Sequence, residues 1–136
     1  MAIYTAKATA QGGRDGHVKS SDGQIDQNLV TPGAGSNAGT NPEQLFAAGY
    51  SACYDGALNL VAKNQKKDIE STVNGEVSLN KDESDDGFKI SVVLNVEVSG
   101  VSQEEAEELT AAAHQVCPYS KATRGNIEVT INTEAK

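Results

Sequence analysis

Residues 39–61, Gly-Thr-Asn-Pro-Glu-Gln-Leu-Phe-Ala-Ala-Gly-Tyr-Ser-Ala-Cys-Tyr-Asp-Gly-Ala-Leu-Asn-Leu-Val, read as one long helix, and the rest of the chain has to be arranged around it. Thr40 or Asn41 supplies the capping oxygen, and Pro42 suits the first helical position, where a missing N–H costs nothing. Phe46, Tyr50, Cys53, Ala57, Leu60 and Val61 recur at steps of three and four residues, which puts Cys53 on the apolar stripe. Beside them stand Ala47, Ala48, Gly49, Ser51, Ala52 and Gly56, small enough to let another backbone come close. The helix is expected to be buried on most sides, with help from a second subunit.

The segments before it read as a meander. Residues 3–10 have strand-like content, 12–16 (Gly-Gly-Arg-Asp-Gly) form a turn, and 17–20 and 24–30 continue as strands about a Ser-Asp-Gly turn. Residues 31–39 are a connector rich in Gly and small polar residues, either a plain loop or a rim over a site. After the helix, residues 71–79 and 88–98 alternate as two strands of a long hairpin. Its tip carries Asp82, Glu83, Asp85 and Asp86, which lack the ligand spacing of a calcium loop and read as solvated surface. Ser102-Gln-Glu-Glu105 has the form of a capping box, opening a helix with Ala106, Leu109, Ala113, Val116 and Cys117 on one face. Pro118 ends that helix and starts a short one, and residues 127–131 make the last strand. The order β-β-β-α-β-β-α-β defines an α+β fold of antiparallel strands with helices on one face, in a single domain spanning residues 1–136.

Composition narrows the functions. With 136 residues and a net charge of −8, the chain lacks the cationic footprint that a nucleic acid or an anionic membrane requires. The first residues lack the basic flank and apolar run of a secretory signal, so a reducing cytoplasm is the expected setting. Two cysteines there are free thiols or a transient catalytic disulfide rather than a permanent staple. Cys117 precedes a helix start, where unpaired N–H groups favour a thiolate, and Lys121 and Arg124 follow. Cys53, buried in mid-helix, is inert unless a cation reaches it, and Arg14 in its Gly-rich turn is the best candidate. A metal on His17, Cys53, His114 and Cys117 competes for the same atoms but lacks the paired spacing of structural zinc.

Gly12-Gly-Arg-Asp-Gly16, the stretch from Gly39 to Cys53, and Cys117-Pro-Tyr-Ser-Lys-Ala-Thr-Arg-Gly-Asn126 together closely resemble the organic hydroperoxide resistance (Ohr) subfamily of the Ohr/OsmC proteins. The likeness runs over residues 3–133. It implies an OsmC-like fold in which strands wrap a central helix in an intertwined homodimer with two interfacial sites. It further implies a thiol peroxidase that reduces alkyl and fatty-acid hydroperoxides to alcohols. Cys53 matches the peroxidatic cysteine, Cys117 the resolving one, and Arg14 with Glu43 the ion pair that polarises the site. The reductant implied is dihydrolipoamide, free or on a lipoylated protein, with no bound cofactor and no metal.

Residue chemistry fits that assignment. Arg14 would stabilise the Cys53 thiolate, Glu43 would hold the guanidinium, and Leu45, Phe46, Tyr50 and Leu58 would form an apolar wall for alkyl peroxides. Tyr119 and His114 are supporting residues at most. Ten residues of straight helix put Glu43 about 15 Å from Cys53, so either Glu43 folds back or two subunits share one site. The competing class is a non-catalytic redox sensor or small-molecule binding protein using the same two thiols.

Overall fold

The computed structural model describes residues 1–33 and 38–136. The central part of the connector expected at 31–39 therefore lies outside the described residues. The chain divides into two compact units, Met1–Leu45 and Phe46–Lys136.

In the first unit β1 (Ala8–Gln11), β2 (His17–Ser20) and β3 (Asp26–Asn28) form an antiparallel sheet in that order, the meander anticipated. The strands are shorter than the sequence indicated. β2 ends at Ser20 opposite Ala8, and the chain turns there, so Ile3 and Tyr4 gain no strand partner in this sheet and stand exposed. Leu29 is the buried hydrophobic residue among the described residues of the unit.

The helix α1 (Pro42–Asn64) begins at the end of the first unit and runs unbroken into the second. Asn41 caps it, its Oδ1 accepting from the Gln44 N–H at 2.9 Å. Its core-facing residues are Tyr50, Tyr54, Ala57, Leu58, Val61 and Ala62. The apolar stripe is thus rotated from the one expected. Leu60 is 50 % exposed, while Tyr54 and Leu58 complete the three- and four-residue steps from Tyr50. Within the chain α1 buries one side only, since Ala48, Ala52 and Gly56 are exposed.

β4 (Glu70–Asp82) and β5 (Gly87–Ser99) make the expected long hairpin, and β6 (Val129–Ala135) lies beside β5. Here the expectation of a wholly antiparallel arrangement is corrected, because β6 runs parallel to β5. The physical reason is the connection. α2 (Gln103–Val116) and α3 (Pro118–Thr123) intervene as a crossover, which is what a parallel pair needs. The hairpin tip uses its acids locally: Asp82 accepts from the Ser84 N–H and hydroxyl, and Asp85 from the Gly87 N–H.

Register carries the core across the sheet. Val77, Val92 and Val129 stand abreast, as do Gly75, Leu94 and Ile131. Val92, Leu94, Val96 and Val98 are buried with Ala106, Leu109 and Ala113 of α2, whose capping box of Ser102 and Glu105 is complete. Val116, expected on that face, is 42 % exposed, and Thr110 takes a buried place instead. No helix among the described residues is long and apolar enough to cross a membrane.

Gly75 lets α1 lie close to the sheet. A Cβ there would overlap Ser51 Oγ and come within 3.3 Å of the Ala47 carbonyl. Gly75→Ala is expected to destabilise the protein by about 1–3 kcal/mol through this overpacking. Adding Ser51→Ala removes the obstructing oxygen and should recover most of the loss. Urea unfolding of the two single variants and the double checks this, and simple additivity would refute the contact.

Candidate active site

In the first unit Arg14 sits on a single 3-10 turn, Gly13–Asp15, between β1 and β2. Gly12 and Gly13 both have positive φ, 78° and 62°, a conformation that side chains disfavour, so the turn depends on the glycine pair. Asp15 fastens it by accepting from the Thr31 N–H at 3.1 Å and hydroxyl at 2.8 Å. The guanidinium then reaches Glu43 in α1's first turn. Nη1 donates to Oε1 at 2.7 Å and Nη2 to Oε2 at 2.8 Å, a two-pronged ion pair. Leu45, half-buried, belongs to the same unit.

In the second unit Cys53 lies midway along α1, and Cys117 lies at the junction of α2 and α3. Both thiols are free, their sulfurs 3.5 Å apart. Cys117 is fully buried and Cys53 only partly. Burial pushes the Cys53 thiol up from its ordinary value, the Tyr119 backbone N–H opposes this, and neighbouring Cys117 adds to it. Left to these neighbours Cys53 is a poor nucleophile.

Three aromatic rings of α1 and α3 touch one another. Phe46 meets Tyr50 and Tyr119 edge-on, at centroid distances of 6.1 and 5.9 Å, and Tyr50 lies 5.7 Å from Tyr119. Of the four residues expected as an apolar wall, Phe46 packs at the margin of the core, while Tyr50 and Leu58 are sealed within it. Leu58 is about 140° around the helix from Cys53, on the core side.

The structure brings together Arg14 with Glu43, and Cys53 with Cys117. It does not gather the four residues of the metal alternative. His17 has both ring nitrogens engaged, Nδ1 with Asn28 at 2.9 Å and Nε2 with Asp26 at 2.5 Å, and these contacts raise its pKa, Asn28 first. His114 Nδ1 is bonded to Ser120 Oγ at 2.8 Å, and desolvation holds its pKa down. No group of three or more metal-ligating side chains is assembled among the described residues. The sequence reading missed Ser120 and Thr123, both buried and bonded to Tyr50. The signal available was Tyr50 itself: a phenol placed on a core stripe requires a polar partner.

The family model described as OsmC-like protein matches residues 34–132. The chain is 58 % identical over 131 residues to organic hydroperoxide resistance protein OhrB of Bacillus subtilis, covering 95 % of this chain and 96 % of that one. It is 50 % identical over 133 residues to OhrA of the same organism, covering 95 % and 94 %. The crystal structure of B. subtilis OhrB superposes with a TM-score of 0.93 at 56 % identity, over 98 % of this chain and 100 % of that one.

The ion pair makes a prediction of its own. The Arg14 guanidinium, mainly by hydrogen bonding, holds the Glu43 carboxyl below its ordinary value of 4.5. A depressed folded-state value means that the pair's contribution is present above the unfolded value and is lost as pH falls through the folded one. Carbon-detected NMR titration of Glu43 should give a midpoint below 4.5, and Arg14→Lys, which loses the fork, should raise it. An unchanged midpoint in the variant would show that the pair does not set it.

Proposed function

This chain belongs to the OsmC-like family, in its organic hydroperoxide resistance (Ohr) branch, and from that membership we propose that it is a thiol peroxidase acting on organic hydroperoxides. The observation that carries the reading is the pair of sulfurs 3.5 Å apart, one partly open and one sealed. Cys53, as thiolate, attacks the terminal peroxide oxygen. The O–O bond breaks, the alkoxide takes a proton and leaves as alcohol, and Cys53 becomes a sulfenic acid. The Cys117 thiol displaces water from that sulfur to give the Cys53–Cys117 disulfide. A dihydrolipoyl dithiol, free or carried on a lipoylated protein in the cytoplasm, restores both thiols by exchange and is itself oxidised to a cyclic disulfide. No bound cofactor takes part.

Arg14 and Glu43 supply what Cys53 lacks. A guanidinium brought to the sulfur favours the thiolate against the burial that opposes it, and Glu43 keeps that guanidinium aimed. Glu43 and Cys53 are ten residues apart on one helix, a rise of about 15 Å, which supports a site shared between two subunits. On this reading the site is composite: the Arg14–Glu43 pair of one subunit completes the thiol pair of the other in a homodimer. Exposed Met1, Ile3 and Tyr4, in a unit whose described residues include one buried hydrophobic, fit a segment that finds its core on a partner. Of the apolar residues expected beside Cys53, Phe46 at the margin of the core is the one placed to favour alkyl and fatty-acid peroxides, since Tyr50 and Leu58 are sealed in the core.

Stopped-flow consumption of tert-butyl hydroperoxide with dihydrolipoamide tests the chemistry. Wild-type protein should turn over continuously, Cys53→Ser should be inactive, and Cys117→Ser should stall with an over-oxidised Cys53. Arg14→Ala should lose about a hundredfold or more in rate. A single round of oxidation without turnover would instead identify a redox sensor. Mixing tests the composite site: a Cys53→Ser chain combined with an Arg14→Ala chain should regain activity, because one site of each mixed dimer is then intact. Failure to regain it in verified mixed dimers would place the whole site in one chain.

A further inference from the structure

Behind the thiols lies a file of hydrogen bonds that the proposed chemistry does not use, and counting protons gives it a direction. Thr123 Oγ1 donates to the Tyr119 carbonyl at 3.0 Å. A hydroxyl has one proton, so in its 3.1 Å contact with Tyr50 Oη the threonine accepts and the phenol donates. Tyr50 has then spent its proton, and at 2.8 Å Ser120 Oγ donates to it. Ser120 in turn accepts from His114, whose Nδ1 carries the proton, also at 2.8 Å. The file runs His114, Ser120, Tyr50, Thr123, Tyr119 carbonyl, and joins α2, α3 and α1.

Ser120 is where the three helices meet. It is fully buried, as is Tyr50, so each bond acts in a setting where an unpaired partner is costly. It also lies three residues beyond Cys117, on the same side of the turn that starts α3, and one residue beyond the Tyr119 N–H that faces the Cys53 sulfur.

The geometry points to Ser120 as a positioning residue for the second chemical step, pinning α3 to α1 so that Cys117 stays within reach of oxidised Cys53. This rests on the peroxidase reading above. Once Cys53 is a sulfenic acid it has two fates. The Cys117 thiol attacks its sulfur, the S–O bond breaks, and water leaves with the thiol proton. Otherwise a second hydroperoxide transfers an oxygen, giving sulfinic acid and another molecule of alcohol. The outcome depends on how constantly Cys117 is held beside it.

The ratio of sulfinic acid to disulfide, read by mass spectrometry after the reduced protein meets excess tert-butyl hydroperoxide, tests this without depending on the speed of the first step. Ser120→Ala should raise the ratio about tenfold, and Ser120→Thr, which keeps the hydroxyl, should restore it in part or whole. His114→Leu should shift the ratio the same way by less, since it removes only the donor to Ser120. Thermal melts identify the folded variants, and the ratio is compared among those. An unchanged ratio in both Ser120→Ala and His114→Leu would overturn the inference. Wild-type protein that consumes no hydroperoxide would remove its premise instead, a distinct result.

Discussion

The continuity of α1 is the constraint on which the other arrangements depend. A helix of 23 residues fixes where each of its side chains must act: Glu43 in the first turn, Cys53 in the middle, Val61 and Ala62 at the end. Pro42 and the Asn41 cap let it start cleanly, and Gly75 lets the sheet lie against it without a side chain between them. Because the same rod carries an ion-pairing carboxylate and a thiol, their separation cannot be closed by local bending without breaking backbone hydrogen bonds. The sequence spacing is thereby converted into a distance.

The electrostatic settings of the two units differ. In the second, burial works against the charged form of Cys53, and the one backbone N–H at its sulfur only offsets part of that. In the first, Arg14 is held by two short bonds to a carboxylate yet remains 44 % exposed in its side chain, a cation fixed in direction but not consumed by burial.

What could be read from the residues, and what could not, separates along sequence distance. The Asn41 cap, the Ser102–Glu105 capping box and the β4–β5 hairpin are set by neighbours a few residues away, and they are legible. The two cysteines, Arg14 and Glu43 were legible through their motifs, and the pairings Arg14–Glu43 and Cys53–Cys117 appear in the structure. Leu60 and Val116 misled because helical periodicity states that a stripe exists but lets its centre shift by one residue, and the partners that decide the centre are far off in the chain. The direction of β6 depended on where α2 and α3 return the chain, and Ser120 gained its meaning only when Tyr50, seventy residues earlier, was folded onto it.

The unequal exposure of the two sulfurs has a stereochemical corollary. Cys117 is enclosed by the core and Cys53 has an open side, so in the proposed disulfide an incoming thiol would meet the pair from one direction only. On the proposed mechanism reduction would have a fixed regiochemistry: the donor would become attached to Cys53, and Cys117 would be the sulfur expelled. The leaving thiol would then be released inside the protein, fully buried and 3.5 Å from Cys53 as the two sulfurs stand. A buried leaving group is shielded from solvent thiols, so that on the proposed mechanism the fold itself would make electrons enter by one door.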